Sequence, residues 1–127
     1  MPEKHLYEYA VIRLLPRVER GECLNLGVVL YCKSQRFLDV KFSLNESRLK
    51  AVYGEIDLME VGKHLASFKK ICRGDKDGGL LASQDTASRF RWLTAKRSTI
   101  IQASEVHPGY AISLEGKLEQ LFKEMVL

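Results

Sequence analysis

The chain has 127 residues, enough for one well-formed core and too few for two, so a single domain over residues 1–127 is expected. A hydrophobic share of 46% and a charged share of 28% exclude a disordered chain, and the net charge of +4 permits a polyanionic partner without requiring one. The longest apolar runs, such as Leu26–Tyr31, fall far short of the ~20 residues that cross a bilayer, and Met1–His5 opens no secretory signal, so a cytoplasmic protein without membrane association is expected.

Leu6–Leu15 is rich in β-branched and aromatic residues, apolar on both faces, and stops at Pro16, which lacks a ladder donor; it reads as a central strand. Leu24–Cys32 alternates, with Leu26, Val28, Leu30 and Cys32 on one side and Asn25, Gly27, Val29 and Tyr31 on the other. Arg36–Ser43 continues that pattern after a short polar connection at Lys33-Ser34-Gln35, which suits a hairpin. A short helix is expected around Asn45–Val52. Asp57 and Glu60 form a capping-box pattern ahead of a stripe of Leu58, Val61, Leu65, Phe68 and Cys72, and Gly74 is a plausible stop.

Asp75–Gly79 reads as a charged, glycine-rich loop. A further helix starts near Ser83 or Asp85 with Ala87, Phe90 and Leu93 inward, and a fourth strand covers about Ser98–Ser104. The last helix opens at Ser113 and buries Leu114, Leu118, Leu121, Phe122 and Met125. The order β-β-β-α-α-α-β-α predicts an α+β fold: an antiparallel sheet of about four strands with helices packed mainly on one face. The opposite face is then expected to lie open.

Two stretches carry a family resemblance. "YEYAVIRLLPRVERGECLNLGVVLYC" (Tyr7–Cys32) and "RFRWLTAKRSTIIQASEVHPGY" (Arg89–Tyr110), in that order and spacing, closely resemble the bacterial domain-of-unknown-function family 3037, and the terminal "LEQLFKEMV" fits the same pattern. The resemblance implies a small bacterial protein with no assigned activity. It also implies a partner or regulator of a HipA-like serine/threonine kinase, because members are often encoded beside one; this is an association of genes and not a property of the residues.

Arg89–Arg97 holds four cations and no acid, interleaved with Phe90 and Trp92, and runs into Ser98. Arg89, Arg91, Arg97 and Ser98 offer donors suited to phosphate, with Trp92 free to stack on a base; equally, the segment is a solvated helix face whose arginines pair with nearby carboxylates. Glu22 and Asn25, with Arg13 one strand over, form either a polar cluster on the open face or a satisfied tight connection. His107 before Pro108 is a candidate base or anion ligand and also an ordinary turn histidine. Tyr7, Tyr9, Tyr31 and Phe37, with Arg13 and Lys41, could offer a stacking platform for single-stranded nucleic acid on the open face, or an apolar sheet face that a second subunit covers.

Cys23, Cys32 and Cys72 form no C-x-x-C pair, so neither a disulfide framework nor a metal site is expected, and no cofactor is implied. No P-loop, G-x-S-x-G or H-E-x-x-H pattern occurs, which leaves catalysis a minor reading, a hydrolase built on Ser98, His107 and Glu22. The expected function is that of a binding or regulatory module with a protein partner, the HipA-like kinase or a second copy through the open sheet face. Nucleic acid or a phosphate ligand bound by Arg89–Ser98 is the alternative.

Overall fold

A computed structural model describes residues 3–15, 20, 22–52, 57–97 and 99–127. Three antiparallel strands come first: β1 (His5–Leu14), β2 (Leu24–Cys32) and β3 (Phe37–Phe42). Helices α1 (Glu46–Val52) and α2 (Leu58–Arg73) follow, then a 3-10 turn at Lys76–Gly78, α3 (Gly79–Ala82) and α4 (Thr86–Thr94). The chain returns to the sheet as β4 (Ile101–Ala103) and β5 (His107–Ala111) and ends in α5 (Leu114–Met125). The fold is α+β, with β2 and β3 on one side of β1 and both late strands on the other. No helix among the described residues is long and apolar enough to cross a membrane.

Local chemistry accounts for the element ends. The Asp57 carboxylate accepts from the Met59 and Glu60 N–H groups, and Gly74 closes α2 in the left-handed region at φ 71°, with its N–H turned back to the Ile71 and Lys70 carbonyls. Asp85 caps α4 through the Ser88 N–H, and Ser113 caps α5 through the Gly116 N–H. The segment read as a loop at Asp75–Gly79 is instead helical after Asp75, passing through the 3-10 turn at Lys76–Gly78 into α3.

The helices lie mainly on one sheet face, as expected, but the other face is not open. On the helix-rich side Ala10, Ile12, Leu14, Val29 and Tyr31 meet Leu49 of α1, Val61, Leu65 and Phe68 of α2 and Phe90 and Leu93 of α4. Tyr31, expected on the open face, belongs to this side instead, its ring stacked on Phe90 at 5.0 Å between centroids. On the reverse side Tyr7, Val28, Leu30 and Cys32 are buried beneath Leu114, Leu118 and Leu121 of α5. Burying such a leucine stabilises by about 1.5–3 kcal/mol, so a helix with three of them at the right spacing does not stay off an apolar sheet face. The expected tyrosine platform is therefore covered: Tyr7 is 5% exposed, and Lys41 of β3 pairs with Glu119 of α5 at 3.7 Å.

One irregularity in β2 reassigns a side chain. Ile12 pairs with Gly27 and Arg13 with Asn25, which leaves Leu26 as an extra residue, a β-bulge. The bulge turns Leu26 toward the helix-rich side with Val29 and Tyr31, away from the Val28 set to which strict alternation assigned it. Gly27 is needed here because a Cβ would strike the Lys41 carbonyl and the Phe42 ring.

The late strands also differ from expectation. The predicted fourth strand is shorter, and its first residue, Ser98, lies outside the described residues. The His-Pro-Gly segment read as a turn is strand β5, its residues His107–Ala111 paired with Tyr9–His5. Between β4 and β5 the chain breaks its ladder, and Ser104 repairs it. The Val11 N–H donates to Ser104 Oγ at 2.8 Å, the Ser104 N–H donates to the Val11 carbonyl at 2.8 Å, and Oγ–H donates to the Glu105 carbonyl at 2.9 Å. Ser104 is buried, so Ser104→Ala should lower unfolding free energy by about 1–3 kcal/mol in urea titration, the cost of leaving the Val11 N–H without a partner.

Candidate functional site

The α5 helix packs on β2 and β3 and reaches β1 chiefly at Tyr7, so the far end of β1 and its neighbour β4 keep one exposed corner. An open hollow of about 550 Å³ occupies it, lined by Arg13 from β1, Lys96 and Arg97 from the α4–β4 connection, and Gln102, Ser104 and Glu105 from β4 and its exit. Arg13 stands opposite Gln102 on one side and Asn25 on the other. Its Nε atom is buried and has no hydrogen-bond partner among the described residues. Three cations and one carboxylate thus meet where the β1–β4 pairing brings residues far apart in sequence into one wall.

Arg97 is held before any ligand arrives. Its guanidinium lies over the Trp92 ring, with Cζ 3.8 Å from the centroid, and Nη2 donates to the Trp92 carbonyl at the end of α4. Partial burial lowers its pKa, but from so high a value that the group stays cationic. Arg97 also lines a second, more apolar hollow of about 220 Å³ on the helix-rich side, with Trp92, Phe68 and Ile71. The indole is about one-third exposed, so one aromatic plane organises the cation and remains within reach of solvent.

The other candidates separate into different roles. Arg89 donates from Nη1 to the Cys72 carbonyl at 2.8 Å and to the Ile71 carbonyl at 3.3 Å, satisfying the C-terminal end of α2. Arg91 lies on the exposed face of α4, in a groove shared with Glu8, Lys33 and Asp85. Asn25 donates from Nδ2 to the Met125 carbonyl at 2.9 Å and, with Arg48 on the Val126 carbonyl at 3.1 Å, ties down the end of α5. Glu22 pairs with Arg20 at 2.6 Å on the surface and not with Arg13; both side chains are more than half exposed, so the pair contributes little.

His107 opens β5 opposite Tyr9, the two rings 5.5 Å apart, while Glu22 lies just before Leu24, the partner of Leu14. Five residues of strand at ~3.3 Å each separate those positions, so His107 and Glu22 are not brought together. Among the described residues no group of three His, Cys, Asp or Glu is arranged to hold a metal. The Cys72 thiol is pushed up to about 12, chiefly by burial, which leaves it protonated and unreactive at neutral pH. Lys96 is one of the four cations of the Arg89–Arg97 run, and its place beside Arg13 depends on how the chain leaves α4.

The chain belongs to the family described as "Protein of unknown function (DUF3037)", whose model matches residues 9–126. No curated protein and no solved structure matches it.

The separation of roles within the basic segment is open to a direct test. Arg89→Ala should destabilise the fold by about 1–3 kcal/mol in chemical denaturation, since two α2 carbonyls lose a charged donor, whereas Arg91→Ala should stay within about 0.5 kcal/mol of the parent.

Proposed function

We propose that the chain is a binding module that captures a phosphate- or carboxylate-bearing ligand in the hollow beside β4. The observation that carries this reading is the convergence of Arg13, Lys96 and Arg97 on one concavity. Guanidinium and ammonium groups gathered in one place offer charged donors that a phosphate or carboxylate satisfies. Fixing Arg97 against Trp92 removes rotamer freedom in advance, so less is lost on binding. Gln102 and Ser104 add polar surface, and Glu105 sets a limit on how much negative charge the hollow takes.

Trp92 is the only tryptophan, so its emission reports on the Arg97 stack. Titration with inorganic phosphate, and separately with a short single-stranded DNA, should shift that emission, and the DNA affinity should fall steeply with added salt. Lys96→Glu with Arg97→Glu should weaken binding by at least about tenfold. A calorimetric titration without heat, together with unchanged emission for both ligands, would remove the hollow as an anion site.

The regulatory reading uses the same corner. A partner such as the HipA-like kinase that the family resemblance implies would present the anion as an acidic or phosphorylated segment on its surface. Co-expression with such a kinase should yield a complex that the Lys96→Glu, Arg97→Glu variant weakens. Two proteins that elute separately would exclude the kinase as the partner.

A further inference from the structure

The cationic hollow has an apolar neighbour across β4. This is the hollow of about 220 Å³, floored by Phe68 and Ile71 of α2 and Leu93 of α4, all three buried, and walled by Trp92. Arg97, Gln102 and Ala103 line both hollows, so the two adjoin around these residues. β4 ends the strand order, and its outer edge pairs with no strand among the described residues. Ile101 and Ala103 stand opposite Leu14 and Ile12 and pack with them on the helix-rich side, while Gln102 stands opposite Arg13. The free edge of β4 is therefore the boundary at which an apolar and a cationic concavity meet.

Neither hollow makes a complete site alone. Small-molecule sites commonly enclose about 300–1,000 Å³ and combine an apolar lining with a few polar groups that fix orientation. The apolar hollow is smaller than that. The cationic one is lined almost wholly by charged and polar side chains and has no apolar wall to shed water from a bound anion. Joined, they supply both parts. Arg97 stands at the junction with its guanidinium fixed over the Trp92 ring. Gln102 donates from Nε2 to the Thr99 carbonyl at 2.8 Å, which holds its side chain at the rim that the two hollows share.

These proportions select the occupant. A bare inorganic anion leaves the apolar floor wet, a neutral ring makes no use of the cations, and a long acyl chain exceeds the space above Phe68 and Ile71. We propose that the two hollows form one site for a compact oxyanion carrying a single aromatic ring, as a phosphate monoester or a carboxylate. The inference rests on the reading of the cationic hollow as an anion site and adds what the anion is attached to. The ring covers Phe68, Ile71 and Leu93 beside Trp92, where it gains both burial and aromatic contact. The charged head lies among Arg97, Lys96 and Arg13, so Arg97 serves both ends of the ligand.

Calorimetry on the whole chain tests this with ligands that differ only in the ring: phenyl phosphate against inorganic phosphate, and benzoate against acetate. The ring should tighten binding at least about tenfold in one pair or in both. Phenol, the ring without a charge, should bind at least about tenfold more weakly than the tighter ringed anion. Ser67 is exposed on α2 and lines the apolar hollow but not the cationic one. Ser67→Phe fills that space and should bring each ringed ligand down to the affinity of its ringless partner, with unchanged circular dichroism. Ringless anions that bind as tightly as the ringed ones overturn the inference and leave the anion hollow standing. Phenol that binds as well as the ringed anions, or a ring gain that survives Ser67→Phe, overturns it too. If none of the four anions gives heat or shifts Trp92 emission, the anion hollow falls and this inference with it.

Discussion

Burial of β1 and β2 on both sides is the constraint around which the remaining elements are arranged. Ala10, Ile12 and Leu14 press toward α2 and α4, while Tyr7, Val28, Leu30 and Cys32 press toward α5. Strands of that kind cannot rest at a water-exposed surface, so each side must recruit helices of its own. The bulge at Leu26 belongs to the same requirement. By turning Leu26 to the helix-rich side it leaves Asn25 on the reverse side, where the amide holds the Met125 carbonyl at the end of α5. The backbone irregularity and the docking of a helix ninety residues later are thus parts of one arrangement.

Two exposed corners of the sheet sit where this covering stops. With 10 residues, β1 is longer than the helices on either side can shield. At its C-terminal end, paired with β4, the uncovered corner is cationic and polar; at its N-terminal end, paired with β5, the corner is apolar with mixed charge at its margin. Ser104 separates the two as the single buried polar residue among those described, and it keeps β4 and β5 on one continuous edge despite the break between them. The two corners share no lining residue.

Much of the architecture was legible from residue patterns because its signals are local. Asp57, Gly74 and Ser113 act within one helical turn, and the alternation of β1 to β3 needs only neighbouring residues. Three features were not legible, each for a physical reason. An amphipathic stripe such as Leu114, Leu118 and Leu121 says that a helix packs, but not on which side of a sheet. A bulge depends on the register of a partner strand, which Leu26 and Gly27 do not encode by themselves. Pro108 and Gly109 resemble a turn, yet at an edge a missing donor costs nothing, and Gly109 makes room for the Tyr7 ring, into which any Cβ would run.

The candidate site was legible in part. Arg13, Arg97 and Trp92 were identifiable by type, and Arg13 and Arg97 do share a hollow. Arg89 stood in the same run of cations and serves a helix end, a distinction that only the packing of α4 on α2 creates.

The lateness of α5 has a consequence for synthesis. Tyr7, Val28, Leu30 and Cys32 emerge from the ribosome early, while the leucines that shield them lie more than eighty residues downstream. At roughly 5–20 residues per second the reverse side of the sheet stays bare for on the order of 5–20 s, with the first hairpin already able to form. Throughout that interval the nascent chain displays a greasy ribbon to its surroundings, an invitation to chaperones and to sticky neighbours that ends only when the final helix closes over it.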